Sequence, residues 1–262
     1  MDLKIKGRKA LALGASRGLG LGIANALAAE GVEVLLCGRS ADLLERNAAE
    51  IAAAHGVAAH HVSADLADGA FAERVAGHAR AQLGHVDILV NNTGGPAPGK
   101  VTDMSADDLA RQAQMMIFGI IDLTNRLLPA MREKGWGRVL TVASSGVVQP
   151  IPNLAMSNTL RSALVGWNKS LSNEIAADGV TCNLLVPGRI HTARVDQLDE
   201  AAANRTGKTL EEVRAGSKAT IPAGRYGRVE EFADMATFLC SDRAGYTTGS
   251  IVRCDGGAIK GV

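Results

Sequence analysis

The chain has 262 residues, 47% hydrophobic and 21% charged, with a formal net charge of +1. That composition supports a substantial core and excludes disorder, while the weak charge and only 3% aromatic residues give no basis for nucleic-acid binding or for an anionic membrane surface. Four scattered cysteines, Cys37, Cys182, Cys240 and Cys254, form no C-x-x-C pair, so they read as buried thiols and no metal site is expected.

Taken in chain order, short apolar runs alternate with alanine-rich stretches of helical spacing. The opening MDLKIKGRKALALGAS lacks the apolar segment and cleavage site of a signal peptide, and no run approaches a membrane span, so the expected location is cytoplasmic. The runs KALALGA, VEVLLCG, AAHHVSAD, VDILVNN, RVLTVASS, VTCNLLVPG and SIVRCDGG read as strands, and LGIANALAAEG and DLLERNAAEIAAAHG as helices between them. Strands that are apolar at nearly every position are buried on both faces, which is the mark of a parallel sheet. The expected fold is therefore α/β, a doubly wound Rossmann-type parallel sheet of about seven strands with helices on both faces. The alternation reaches CDGG without a linker, so residues 1–262 are expected to form one domain. Residues 195–225 interrupt the pattern with a polar segment of helical composition. This is either a surface excursion or, given its place after the VPG strand end, a lid over a ligand crevice.

The run LALGASRGLGLGIANAL sets Gly14, Gly18 and Gly20 at the first strand-to-helix junction. Glycines there permit a tight turn and let backbone N–H groups reach a phosphate at the positive end of the helix. The second strand ends LLCGRS, with Arg39 and no acid, and Arg17 lies inside the loop. A ribose 2′-hydroxyl wants a carboxylate and a 2′-phosphate a cation, so the pair favours NADP(H) over NAD(H), although either arginine alone reads equally as a solvated surface cation. Asp65, at the end of the third strand, reads as an acceptor for the adenine amino group, as a helix N-cap, or as both. His60 and His61 are neighbours in a strand, point to opposite faces and receive no role. Trp136 and Trp167 read as packing residues.

Together these motifs resemble the short-chain dehydrogenase/reductase family, most closely its β-ketoacyl carrier-protein reductase-like members, over nearly the whole chain. G-x-x-x-G-x-G is matched by Gly14, Gly18 and Gly20. NNTG, residues 91–94, stands for N-N-A-G, Pro187–Gly188 for the family's P-G, and YTTGSIVRCDGG resembles its closing segment. The resemblance implies a cofactor set of Gly14, Ser16, Arg17, Gly18, Leu19 and Gly20 in the loop, with Arg39, Asp65 and Leu66, then Asn92, Gly94 and Arg161, and finally Pro187, Gly188, Ile190 and Thr192. It also implies a homo-oligomer, a tetramer or a dimer, with contacts through residues 105–131, 153–177 and 245–262.

The resemblance fails at the catalytic set, which in the family is Asn, Ser, Tyr and Lys. The serine is matched by Ser145, with Ser144 beside it. Anchoring on the stripe Leu160, Leu164, Trp167, Leu171 and Ile175 and on Glu174 puts the tyrosine position at Ser157, the lysine position at Arg161 and the helix asparagine at Met116. The only tyrosines, Tyr226 and Tyr246, lie far downstream. Serine is a far weaker acid than tyrosine, arginine keeps its charge and shuttles no proton, and methionine holds no water. His191 and Arg189 in PGRIHTAR read either as a replacement proton donor and an anion clamp, or as ordinary loop residues. The leading expectation is an NADP(H)-dependent oxidoreductase of altered mechanism acting on a small carbonyl or alcohol substrate. The alternative is a catalytically impaired nucleotide-binding sensor or assembly partner. A third option, a lyase or isomerase that uses the cofactor structurally, has no specific support.

Overall fold

The computed structural model of the chain describes residues 1–261. The seven apolar runs form β1 (Lys9–Leu13), β2 (Glu33–Gly38), β3 (Ala59–Ser63), β4 (Ile88–Asn91), β5 (Gly137–Val142), β6 (Val180–Pro187) and β7 (Ile251–Cys254). All pair in parallel in one sheet, in the order β3-β2-β1-β4-β5-β6-β7. The helices are α1 (Gly18–Ala29), α2 (Ala41–His55), α3 (Phe71–Leu83), α4 (Ala106–Ala113), α5 (Gly119–Glu133), α6 (Ala155–Ile175), α7 (Ala193–Thr206), α8 (Leu210–Ala219) and α9 (Val229–Leu239). Among the described residues, no helix is long and apolar enough to cross a membrane.

Successive strand residues point to opposite faces, so each inner strand feeds two cores. On one face Ala10, Ala12, Val34 and Leu36 pack with Ile23 and Leu27 of α1, Leu44 of α2 and Phe232 of α9. On the other, Leu11, Leu13, Leu35 and Cys37 pack with Val75 of α3, Leu123 of α5 and Leu171 and Ile175 of α6. This is the doubly wound arrangement that the alternation predicts. After β3 the chain crosses back to lay β4 on the far side of β1. The connections from β1 and β4 therefore leave in opposite directions, and a crevice opens beyond their carboxyl ends.

Two features go beyond the sequence pattern. A π-helical turn, Gln114–Phe118, joins α4 to α5, and it carries Met116 into a buried cluster with Ala113 and Leu160. The polar segment after β6 folds as the helical pair α7 and α8, beginning at Ala193, with Thr209 and Glu212 forming a reciprocal cap for α8. Trp136 does more than pack: Arg8 and Arg138 sit 3.8 Å and 4.3 Å from its ring centre, and its indole N–H donates to Asp242 at 2.6 Å.

Phe232 is wholly buried between α9 and the sheet. Phe232→Ala is expected to lower unfolding free energy by about 3–5 kcal/mol in urea melts, with an unchanged far-ultraviolet spectrum.

Candidate functional site

The crevice is built on a close approach of two backbones. Gly14 has φ +60°, and a Cβ placed on it would lie 2.6 Å from Asn92 Nδ2 and 2.9 Å from the Asn92 carbonyl oxygen. Asn92 Nδ2 in turn donates to the Leu13 carbonyl at 3.3 Å. A Cβ on Gly20 would lie 2.5 Å from the Gly14 carbonyl oxygen, so α1 starts directly under the loop. Asn47 of α2 donates to the Ser16 carbonyl at 3.0 Å and holds the loop from outside. Arg17 precedes α1 in extended backbone and supplies no side-chain cap, which leaves the helix N–H groups facing the crevice. Leu19 is half-buried, and the Arg17 and Arg39 side chains are exposed. Neither arginine forms an ion pair among the described residues, and no acid stands at the end of β2. The tight glycine cradle, uncapped helix start and unpaired cations fit a phosphorylated dinucleotide.

Asp65 is exposed and accepts from the Ala67 N–H at 3.0 Å. It closes a local turn and does not cap a helix, because α3 begins only at Phe71. Leu66 packs against the second core. On the opposite wall Gly94 is exposed, with open space where a Cβ would be. Pro187 ends β6, Gly188 follows it, and Ile190 is buried beside them. Thr192 immediately precedes α7, and its Cγ2 lies 3.8 Å from the position of a Cβ on Gly18. The ends of β1, β4 and β6 thus converge on one crevice.

Arg161 is buried in α6, and its guanidinium donates to the Val142 carbonyl at 2.8 Å, the Thr93 carbonyl at 3.2 Å and the Gly94 carbonyl at 3.4 Å. Burial, and secondarily the nearby Arg194, push it down to about 10, so it stays charged at neutral pH. Much of its donor capacity is therefore spent on the ends of β4 and β5, whereas the family resemblance implied a contact with the cofactor. Ser157 is buried one turn earlier on the same helix. Met116 supplies an apolar wall there, with Ala113, Leu160 and Met156. Ser144 and Ser145 follow β5. The Ser144 hydroxyl accepts from the Gly146 N–H at 3.1 Å, and its own proton remains to donate. Asn158, unremarked in the sequence, pins the same loop by donating to the Ile151 carbonyl at 2.9 Å.

Arg189 is not free to clamp a ligand. Its guanidinium pairs with Asp199 of α7, a carboxylate with no exposure at all. The Tyr226 hydroxyl donates to the other Asp199 oxygen at 2.9 Å, and Arg214 of α8 stands 3.8 Å away while bonding Asp196 at 2.6 Å. Burial raises the Tyr226 phenol, and Asp199 adds to the rise against an opposing bond from Ser217. Tyr226 is therefore committed to Asp199. The exposed His191 ring faces Asp196 at 3.3 Å. These groups anchor the helical pair to the end of β6. Sequence reading missed Asp199 and Tyr226 because nothing local marks residues 27 positions apart as partners.

Residues 14–258 match a family model described as enoyl-(acyl carrier protein) reductase. The chain is 32% identical to the 3-oxoacyl-(acyl-carrier-protein) reductase FabG of Aquifex aeolicus, over 98% of this chain and 99% of that protein. It is 29% identical to the NADPH-dependent reductase BacG of Bacillus subtilis, over 97% and 99%. The structure of L-sorbose reductase from Gluconobacter frateurii, complexed with NADPH and L-sorbose, superposes with a TM-score of 0.94 at 30% identity, covering 100% of both chains.

Removing the Asp199 carboxylate strands the buried Tyr226 hydroxyl but leaves Arg189, 38% exposed, in contact with water, so the cost falls below the ~3–5 kcal/mol typical of breaking a fully buried pair. Asp199→Ala is expected to speed amide exchange across residues 193–219 while β1, β4 and β5 keep their protection. Uniform acceleration throughout the chain would show that Asp199 supports the whole fold and not this helical pair.

Proposed function

This chain belongs to the short-chain dehydrogenase/reductase family, and we propose that it is an NADP(H)-dependent oxidoreductase acting on a carbonyl/alcohol pair, 3-oxoacyl reductase-like, with altered catalytic residues. The observation that carries this reading is the glycine cradle, bounded by Arg17 and Arg39 with no acid at the end of β2. Relatives that use NADPH support the same cofactor here.

NADPH, when bound, would supply a hydride. The loop N–H groups and the start of α1 would hold its pyrophosphate and Arg17 and Arg39 its 2′-phosphate, while Arg161 fixes the wall beside Gly94. The α7–α8 pair acts as the lid that excludes water. Ser144 and Ser145 are the hydroxyls left to donate to the forming alkoxide. Ser157, Arg161 and Met116 occupy the positions of the family's tyrosine, lysine and asparagine and supply no acid. Losing general acid–base help costs about 10²–10⁴ in rate. Holding the reactants together contributes about 7–11 kcal/mol, so turnover survives with a solvent-derived proton. The assembly is a homodimer or homotetramer, for which edge strand β7 with exposed Ile251, and exposed Phe118 and Tyr246, supply apolar contact surface.

The alternative of a nucleotide-binding protein without turnover rests on the same three changed positions. A cation kept at position 161, held against the β4 and β5 ends, weighs for a working crevice.

Two measurements test the proposal. NADPH is expected to bind more tightly than NADH, and Arg39→Asp to cut NADPH affinity by about ten- to hundredfold, the worth of a charge-assisted contact. Equal affinities in the unaltered protein would remove the basis for NADP(H). In single-turnover NADPH oxidation, Ser157→Ala is expected to slow the rate less than about tenfold, under ~1.4 kcal/mol of barrier. The Ser144→Ala/Ser145→Ala double variant is expected to lose about 10²–10³, as for removal of an oxyanion donor. A larger loss from Ser157→Ala would make Ser157 the acid.

A further inference from the structure

Two guanidinium groups from different helices meet one short stretch of backbone, residues 93–96. Arg161 reaches it from α6, at the carbonyls of Thr93 and Gly94. Arg194 reaches it from the first turn of α7 and donates to the Pro96 carbonyl at 2.7 Å. Its Nη2 also lies 3.3 Å from the position of a Cβ on Gly95. The two cations are close enough that Arg194 opposes protonation of Arg161.

Among the described residues, neither arginine has a carboxylate within salt-bridge distance. The contrast with their surroundings is sharp, since Arg189, just after β6, and Arg214 of α8 are both matched to Asp196 or Asp199. A buried cation is costly unless countered, and a second cation beside it adds repulsion. Carbonyl dipoles solvate Arg161 in part but leave the net positive charge. The same stretch carries an independent sign of a missing partner: Thr93 is only 8% exposed, and its hydroxyl has no hydrogen-bond partner. Gly94 faces open space, so a ligand has room beside it.

We propose that Arg194 and Arg161 receive a carboxylate of the substrate, with Thr93 as a further donor, so that the carbonyl compound reduced here is a small oxo acid. The inference rests on the oxidoreductase reading and names its substrate class. Arg194, half-buried at the start of α7, offers the planar fork that a carboxylate accepts bidentately. Arg161, deeper and tied to three carbonyls, contributes mainly its charge. In the reaction the carbonyl carbon gains the hydride of NADPH, its oxygen gains a proton from solvent, and the carboxylate leaves unchanged. A neutral ketose, or an acyl chain held as a thioester, offers no charge at this point.

The test is equilibrium binding to the NADPH complex, read by nicotinamide fluorescence. The probes are 2-oxobutanoate, 3-oxobutanoate and their methyl esters, with inorganic phosphate as a non-specific anion. At least one acid is expected to bind about ten- to hundredfold more tightly than its ester and than phosphate. Arg194→Leu is expected to erase that preference and Arg194→Lys to retain part of it, with the NADPH Kd within about twofold of the unaltered protein. Acids and esters binding alike in the unaltered protein would overturn the proposal. So would an Arg194→Leu variant that loses NADPH affinity but keeps the acid preference, since Arg194 would then serve the cofactor phosphates. Carboxylate preference without NADPH oxidation would support the arginine site while counting against the oxidoreductase reading, which separates the two claims.

Discussion

The crevice depends on how closely β1 and β4 approach beyond their carboxyl ends. The sheet order places these strands side by side while the chain departs from them in opposite directions. What makes the gap usable is the contact between Gly14 and Asn92, where a Cβ would sit 2.6 Å from the amide nitrogen. A side chain at position 14 would part the strands or displace Asn92 and unseat its bond to Leu13. The glycine loop, the start of α1 and the position of Gly94 all follow from that one contact.

Charge is distributed around the crevice in an uneven way that packing alone does not require. Around the α7–α8 pair, Arg189 and Arg214 are matched to Asp196 and Asp199, with Asp199 fully buried at the centre of the match. The cations that face the crevice, Arg17, Arg39, Arg161 and Arg194, are unmatched among the described residues. Stability would favour pairing or removing a buried guanidinium such as Arg161. Its retention, solvated only by backbone carbonyls, is intelligible as preorganisation toward an anionic or polar ligand, where the field is strongest in a water-poor site.

The wall opposite carries the reverse character. The π turn at 114–118 turns Met116 inward, and the contacts made there are with Ala113, Leu160 and Met156. A π turn costs hydrogen-bond regularity in a helix and is concentrated at functional positions. Here it persists with an apolar residue at its centre, so the backbone irregularity builds an apolar wall.

Much of this was legible from the chain alone. Periodicity is local, so the strands, the helices and the faces of β1 and β2 could be read directly, as could the glycine loop and the lack of an acid after Cys37–Gly38. The absence of a tyrosine near residue 157 was equally plain. Asp65 shows the limit of local reading: an acid at a strand end suits a ligand or a cap equally well, and the late start of α3 shows that it closes a local turn and caps no helix. The two readings of Arg189 could not be separated in sequence, because its partner Asp199 is met only when α7 folds back over the end of β6. Arg194 went unnoticed because its significance is its bond to Pro96, 98 residues distant in sequence. Elements and their faces are set by nearest-neighbour spacing, whereas which charges are spent and which stay free is set by loops converging across the sheet ends, and that is decided only in three dimensions.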